Sequence, residues 1–302
     1  MGVGHSHATG GDATRRLGIA LAISVSLLVA EVLGAVLSGS LALLADAAHV
    51  LSDSFGLTLA LAAAVLTRRP TSPERTWGYL RAEVLAAAAQ AAVLLAVGGY
   101  VIFEAVRRLL DPPEVASTAM IIFGAIGLTG NAVAILVLAG ARHQNLNMRA
   151  AFLEVVNDAL GSVAVLIAAV TIALTGWQRA DAVASLLIGA LILPRTWRLL
   201  RESLDVLLES TPRNLDLSDV REHIESVPHV RDVHDLHASR VATDLPVLTA
   251  HVVVDDSCFV DGQLPQLLDQ LQECLAGHFD VAHSTFQFEM ASHVDHEVTT
   301  HD

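Results

Sequence analysis

Six runs of about twenty mostly apolar residues, the length a helix needs to cross the bilayer hydrocarbon, alternate with short polar connections over the first two thirds of the chain. They predict helices over Leu17–Leu37, Leu41–Leu66, Ala82–Leu110, Val115–Leu138, Ala150–Leu174 and Ala180–Leu208. The third and sixth continue past the hydrocarbon as amphipathic helix, since Arg107 and Arg108, and later Arg195, Arg198 and Arg201, interrupt their ends. Ser38-Gly39-Ser40 joins the first two so tightly that they must be antiparallel neighbours. From about Pro212 the pattern turns aqueous. Leu215–Val227 has helix periodicity, Val230–Leu236 and Val247–Val254 read as strands, Leu264–Phe279 is an amphipathic helix, and Ser284–Met290 alternates again.

Arginine placement sets the orientation. Arg15 and Arg16 precede the first run, Arg68, Arg69, Arg75 and Arg81 fill the second connection, Arg142 and Arg149 the fourth, and a basic cluster follows the sixth run. The first connection has none and the fifth only Arg179, so the positive-inside rule puts both termini in the cytoplasm. Arg107 and Arg108 in the third connection are the discordant pair, explained by snorkelling at the outer surface. Trp77, Trp177 and Trp197 fall near run ends, where indoles anchor at membrane interfaces. The fold class expected is an α-helical membrane protein with six transmembrane helices plus a cytoplasmic α/β C-terminal domain of α-β-β-α-β, ferredoxin-like order, its helices on one side of the sheet. The divisions fall at a cytoplasmic tail over 1–15, a membrane domain over 16–210, a cytoplasmic metal-binding and dimerisation domain over 211–291 and a polar tail over 292–302.

Composition agrees with this division. At 302 residues and 53% hydrophobic content, with mean hydropathy +0.53, the chain is too apolar for a soluble domain. The net charge of -14 accumulates after about Ser210, a balance that argues against a nucleic-acid partner. Every basic residue is arginine, and nothing follows from that. Cys258 and Cys274 lack CxxC spacing, so they provide neither a disulfide framework nor a thiolate zinc knuckle and fit a reducing, cytoplasmic face. The first run follows about fifteen polar residues and has no small-residue cleavage site, so it is not a removable signal peptide.

Candidate chemistry sits inside two of the apolar runs. His49-Val-Leu-Ser-Asp53 and Glu154-Val-Val-Asn-Asp158 each place two metal-binding side chains four residues apart, on one helix face. An ionisable group at membrane depth costs about 2.5–3.5 kcal/mol even on lenient insertion scales, so four of them are in use. Two facing helices would supply one imidazole and three carboxylates, the four donors a zinc-type ion takes in a tetrahedron at about 2.0–2.2 Å. Asp46 continues the first stripe. Glu31 and Asn131 fit helix-contact or supporting roles, and Glu83 and Glu104 lie near the ends of the third run. No HExxH occurs and four ligands leave no position for water, which excludes an intramembrane metalloenzyme. A non-transporting membrane metal sensor would need no ligands in the spans.

Several stretches resemble the cation diffusion facilitators, proton-coupled efflux carriers for zinc, cobalt, cadmium and related divalent ions. The resemblance rests on Ala45-Asp46-Ala47-Ala48-His49-Val50-Leu51-Ser52-Asp53, on Thr76-Trp77-Gly78-Tyr79-Leu80-Arg81-Ala82-Glu83-Val84-Leu85, and on Asn147-Met148-Arg149-Ala150-Ala151-Phe152-Leu153. Val233-His234-Asp235-Leu236-His237 and Ala250-His251-Val252 extend it into the C-terminal domain, so that it covers about residues 15–291. It implies a homodimeric antiporter in the inner or plasma membrane that moves Zn2+ out of the cytoplasm against protons. Its transport site would be His49, Asp53, Glu154 and Asp158. It also implies a metallochaperone-like cytoplasmic domain with a second metal site at His234, His251 and Glu289, His237 being a possible fourth ligand. Zinc carriers of the family usually have His where this chain has Glu154, a harder and more negative donor that leaves Mn2+, Fe2+, Co2+ or Cd2+ open as main substrate. His49 and Glu154 are the expected exchangeable-proton groups. The family's His-rich loop between the fourth and fifth spans is missing apart from His143; His5, His7 and the His293–His301 end could ferry metal or be incidental.

Overall fold

The structure, a computed structural model, describes residues 8–140, 146–281 and 283–294. His5, His7, His143, His296 and His301 lie outside the described residues, as does the side chain of Asp53, whose backbone belongs to the second helix. Helices α1 (Ala8–Ser38), α2 (Leu41–Thr67), α3 (Ala82–Leu110), α4 (Ser117–Ala139), α5 (Leu146–Thr175) and α6 (Arg179–Leu207) follow the apolar runs. By length and composition α3, α4, Ala151–Thr175 of α5, and α6 can cross a membrane, while Ala22–Ser38 of α1 is a shorter apolar segment. The chain divides into two compact units, 1–60 with 89–200 and 61–88 with 201–302.

In the first unit small residues set the helix spacing. Ala35, Ala42, Ala45, Ala105, Ala168, Ala169, Ala182 and Ala184 are buried together with Leu41, Met120 and Val165 in one cluster drawn from all six helices. Apolar association gains little in lipid, so close backbone approach and polar contacts hold such bundles. At Gly34 of α1 a Cβ would strike Phe123 of α4, and at Gly124 of α4 it would press on Val165 and Leu166 of α5.

The α1–α2 turn is densely hydrogen-bonded. Gly39 takes a left-handed conformation (φ 69°), which glycine alone adopts without penalty, and reverses the chain. The start of α2 is then capped from elsewhere in the sequence. The buried carboxylate of Asp181, at the start of α6, accepts hydrogen bonds from Leu41 N (2.8 Å), Ala42 N (3.2 Å) and Ser40 Oγ (2.5 Å). The two backbone donors are orphan amides of a helix N-terminus, where a negative charge is also favoured by the helix dipole. Arg108 closes the arrangement, donating to Gly39 O (2.7 Å) and Glu104 Oε1 (3.1 Å) with its guanidinium 3.6 Å from Asp181. The discordant Arg108 therefore has partners within the protein.

The second unit carries a three-stranded sheet in the order β1-β2-β3. β1 (Val230–Ala242) and β2 (Leu245–Val254) are antiparallel, and β3 (His283–Glu289) runs parallel to β2. Helices α7 (Leu217–Glu225) and α9 (Leu264–Phe279) cover one face, burying Val220, Ile224, Leu267, Leu271 and Leu275 against Val233, Leu248, Val252 and Val254. Asp216 caps α7 by accepting from Ser218 N, and Pro265 opens α9, where its missing N–H is harmless. Two short helices, α8 (Ser257–Val260) and α10 (Ala291–Val294), were not legible as periodic runs. Trp77, expected as an interface anchor, stands edge-on to the His283 ring at a centroid distance of 4.9 Å, and Arg81 pairs with Glu209 at 2.7 Å. Arg231, with His229, grips Asp255 across β1 and β2, and these bonds hold the Asp255 carboxyl below the usual range.

Asp181→Ala removes the acceptor for two helix-start amides and leaves Arg108 without its buried anion, a loss of about 2–4 kcal/mol. Thermal unfolding in detergent should show a clearly lower midpoint for Asp181→Ala and a partial recovery for Asp181→Asn; an unchanged midpoint would contradict the anchoring role.

Candidate metal centres

Glu154 and Asp158 lie one helical turn apart on α5, and His49 stands on α2. Across the two helices His49 Nε2 lies 3.7 Å from Glu154 Oε1 and 3.6 Å from Asp158 Oδ1. Two donors bound to one tetrahedral ion at 2.0–2.2 Å are separated by about 3.3–3.6 Å, so both spacings are close to a coordination edge. His49 and Asp158 are buried, whereas Glu154 is partly open. A cavity of about 180 Å³ reaches this point, lined by Asp46, His49, Gln90, Asn157, Arg195 and Thr196 among others.

Sequence reasoning missed one member. Arg195 of α6 donates to both oxygens of Glu154, NH2 to Oε2 at 2.9 Å and NH1 to Oε1 at 3.3 Å. By sequence it belongs with Arg198 and Arg201 at the basic end of the sixth run. The available signal was that Arg195 follows Pro194 within an apolar stretch while α5 carries a surplus carboxylate.

Behind the cluster lies a second polar layer. Ser162 of α5 donates to Asp46 (3.4 Å) and accepts from Asn131 Nδ2 (3.3 Å), which joins α2, α4 and α5. Glu31 of α1 is fully buried, and neither of its oxygens has a hydrogen-bond partner among the described residues. Glycines make room for these groups: a Cβ at Gly127 would touch Ser162 and Glu31, and one at Gly161 would collide with Asp46.

The second cluster lies on the sheet face away from the helices. His234 of β1 pairs in register with His251 of β2, and Glu289 of β3 lies opposite Val253. Donor atoms of His234, His251 and Glu289 all fall within 4.8 Å of one another. His251 Nδ1 is 2.9 Å from Glu289 Oε1, and His234 Nε2 is 3.4 Å from Glu289 Oε2. Oε2 is buried and has no hydrogen-bond partner among the described residues, whereas Oε1 also accepts from Gln287 at 2.6 Å. The set of two imidazoles and a carboxylate fits a zinc-type ion. His237 stands back from it, 3.0 Å from Asp235, and Asp235 itself reaches to 3.9 Å from His251. A bulge explains this: the register slips between His234 and His237, and Asp235 takes φ 49°, re-aiming its side chain.

Residues 17–208 match the cation efflux transmembrane domain and residues 212–291 the cation efflux protein cytoplasmic domain. The chain belongs to the cation diffusion facilitator family. It is 44% identical over 291 residues to the metal cation efflux system protein CzcD of Cupriavidus metallidurans, covering 96% of this chain and 91% of that one. The cadmium, cobalt and zinc/H(+)-K(+) antiporter of Bacillus subtilis is 36% identical over 293 residues, 96% of this chain and 93% of its own. The zinc transporter ZitB of Escherichia coli is 39% identical over 286 residues, covering 94% and 90%. As a family member the chain is a multi-pass membrane transporter of metal cations and not an enzyme, and its cytoplasmic domain is of the dimerising kind.

Gly161 fixes how closely α2 and α5 meet beside the cluster. Gly161→Ala should destabilise the protein by about 1–3 kcal/mol through overpacking against Asp46. The double variant Gly161→Ala/Asp46→Ala should recover part of that loss in the same thermal assay. Equal destabilisation in both would mean the two residues are not in contact.

Proposed function

We propose that this protein exports a divalent transition metal, Zn2+ foremost, from the cytoplasm in exchange for protons. It would bind the ion tetrahedrally through His49, Asp53, Glu154 and Asp158 between α2 and α5. The observation that carries the proposal is the pair of 3.6 and 3.7 Å approaches from His49 to Asp158 and Glu154, made between helices far apart in sequence. The names of the zinc transporter and of the proton-coupled antiporter among its relatives point the same way. All six long helices would span the inner or plasma membrane, with both termini cytoplasmic, as the arginine distribution requires. Two copies would pair through the cytoplasmic domain.

The chemistry follows from the ligands. A metal binds carboxylates and neutral imidazole, so loading releases protons and an acidic far side favours unloading. Glu154 already has a cation partner in Arg195, which leaves His49 as the principal exchangeable-proton group. Alternating access would open this one site to each side by moving α2 and α5 with their neighbours, since side chains rather than a backbone ladder connect the two halves. His234, His251 and Glu289 would hold a second, resident ion in the cytoplasmic domain, where it would tie the three strands together and take no part in transport. One observation favours a second reading of the substrate. Glu154 raises the oxygen share of the transport set, which suits Mn2+, Fe2+ or Co2+ better than an imidazole would, with Cd2+ also carried.

Asp158→Ala and Asp53→Ala should each abolish metal uptake by everted or reconstituted vesicles at normal expression; near-normal flux in either would remove that residue from the transport site. His251→Ala with Glu289→Ala should lower the bound metal per protomer by elemental analysis while transport persists. An unchanged metal content would show that no ion is held there.

A further inference from the structure

The carboxylate of Glu154 faces two ways. Its Oε1 lies 3.7 Å from His49 Nε2 and 3.3 Å from Arg195 NH1, and its Oε2 lies 2.9 Å from Arg195 NH2. The guanidinium thus spans both oxygens in the fork geometry that makes arginine–carboxylate pairs strong and directional. It is a permanent cation, because arginine does not deprotonate in proteins. Its side chain is 64% exposed and lines the cavity that leads to His49, so it can withdraw without unpacking a core. Pro194 immediately before it leaves a carbonyl one turn back without its helical amide, a local loosening of α6 at this position.

Charge gives the arrangement its meaning. Asp53, Glu154 and Asp158 bring three formal negative charges to the proposed set, and the guanidinium offsets one of them. The remainder matches a dication. Three unbalanced carboxylates would hold such an ion more tightly than a carrier can release it, and would repel one another when the ion leaves.

We infer that Arg195 is a tethered counter-cation that an arriving metal must displace from Glu154 and that reoccupies Glu154 when the metal departs, so that it sets the affinity of the transport site and speeds release. The inference rests on the transport-site reading given above. Arg195 itself touches no metal; it acts through Glu154. An incoming monovalent ion gains half the Coulomb energy of a dication from the same carboxylates and does not dislodge a bidentate guanidinium. The pair therefore also discriminates by charge.

The test is zinc flux into vesicles reconstituted with the full-length protein, read as apparent KM and maximal rate. Arg195→Gln should lower KM by about five-fold, the scale of a partly exposed ion pair, and should lower the maximal rate because release slows. Arg195→Lys, which keeps the charge and loses the fork, should fall between Gln and the parent. In a Glu154→His background, where the carboxylate that Arg195 pairs with is gone, Arg195→Gln should change neither constant. An unchanged or raised KM in Arg195→Gln overturns the inference, as does a shift of the same size in the Glu154→His background. Should Arg195→Gln fail to insert, Arg195→Lys decides alone: a KM below the parent supports the role, and a KM equal to it or above overturns it. Asp158→Ala, run alongside, separates the two levels, since retained flux there would remove the transport-site reading itself.

Discussion

A charged side chain inside an apolar helix bundle must find a partner, and in this protein that requirement selects which helices become neighbours. Leucine and alanine pack almost equally well against lipid and against one another, so apolar runs alone leave the order of helices weakly specified. The polar pairs are specific. Asp181 ties the start of α6 to the start of α2 and to Arg108 of α3. Ser162 joins α5 to Asp46 of α2 and Asn131 of α4. Glu154 joins α5 to Arg195 of α6, with His49 of α2 beside it. Each bond connects segments distant in sequence, and together they leave α2 and α5 face to face where His49 approaches Glu154 and Asp158. The small residues at Gly34, Gly124 and Gly161 are the sterical counterpart, because the polar groups reach one another only if the backbones approach closely.

The two candidate metal clusters use different scaffolds, and the difference suits different tasks. The membrane cluster is held by side chains on two helices that share no backbone hydrogen bonds, so a small relative motion of α2 and α5 would open it. The cytoplasmic cluster lies on three adjacent strands whose ladders fix His234, His251 and Glu289 in register. Breaking it means breaking the sheet. On the proposed reading, the first kind of site suits an ion that must leave and the second kind one that stays.

Much of this was legible in the chain. The apolar runs located α2 to α6 within a few residues, α9 has the bounds its amphipathic pattern predicts, and the spacing of four singled out His49, Glu154 and Asp158, which the fold brings together. His234, His251 and Glu289 could be assigned to strands because their neighbours alternate. What escaped was whatever depends on a partner far away or on a local defect. Asp181 looked like an ordinary acidic residue at a helix start, and only the fold shows that it caps a different helix. Trp77 had the position of an interface anchor but packs against His283. Asp235 approaches His251 only through a bulge, and one extra residue in a strand leaves no mark in a period-two pattern. The extension of α1 back to Ala8 runs through polar and glycine residues that a hydropathy window discards.

Arg195 shows how a site's charge and its donor chemistry can be adjusted separately. Replacing an imidazole by a carboxylate changes two properties at once, hardening the donor set and adding a negative charge. The added charge on its own would tighten binding of every divalent ion and hinder release. On the proposed reading, the guanidinium on the adjacent helix pairs with that charge while the site is empty and yields it to the ion, so the cost of its displacement offsets the tighter binding while the oxygen donor, and with it the ligand preference, stays. The two changes are coupled through geometry, because the same oxygen of Glu154 faces both His49 and Arg195. On the proposed reading neither residue acts alone: Glu154 without Arg195 would make the site a trap, and Arg195 without Glu154 would set a positive charge beside a site meant for a cation.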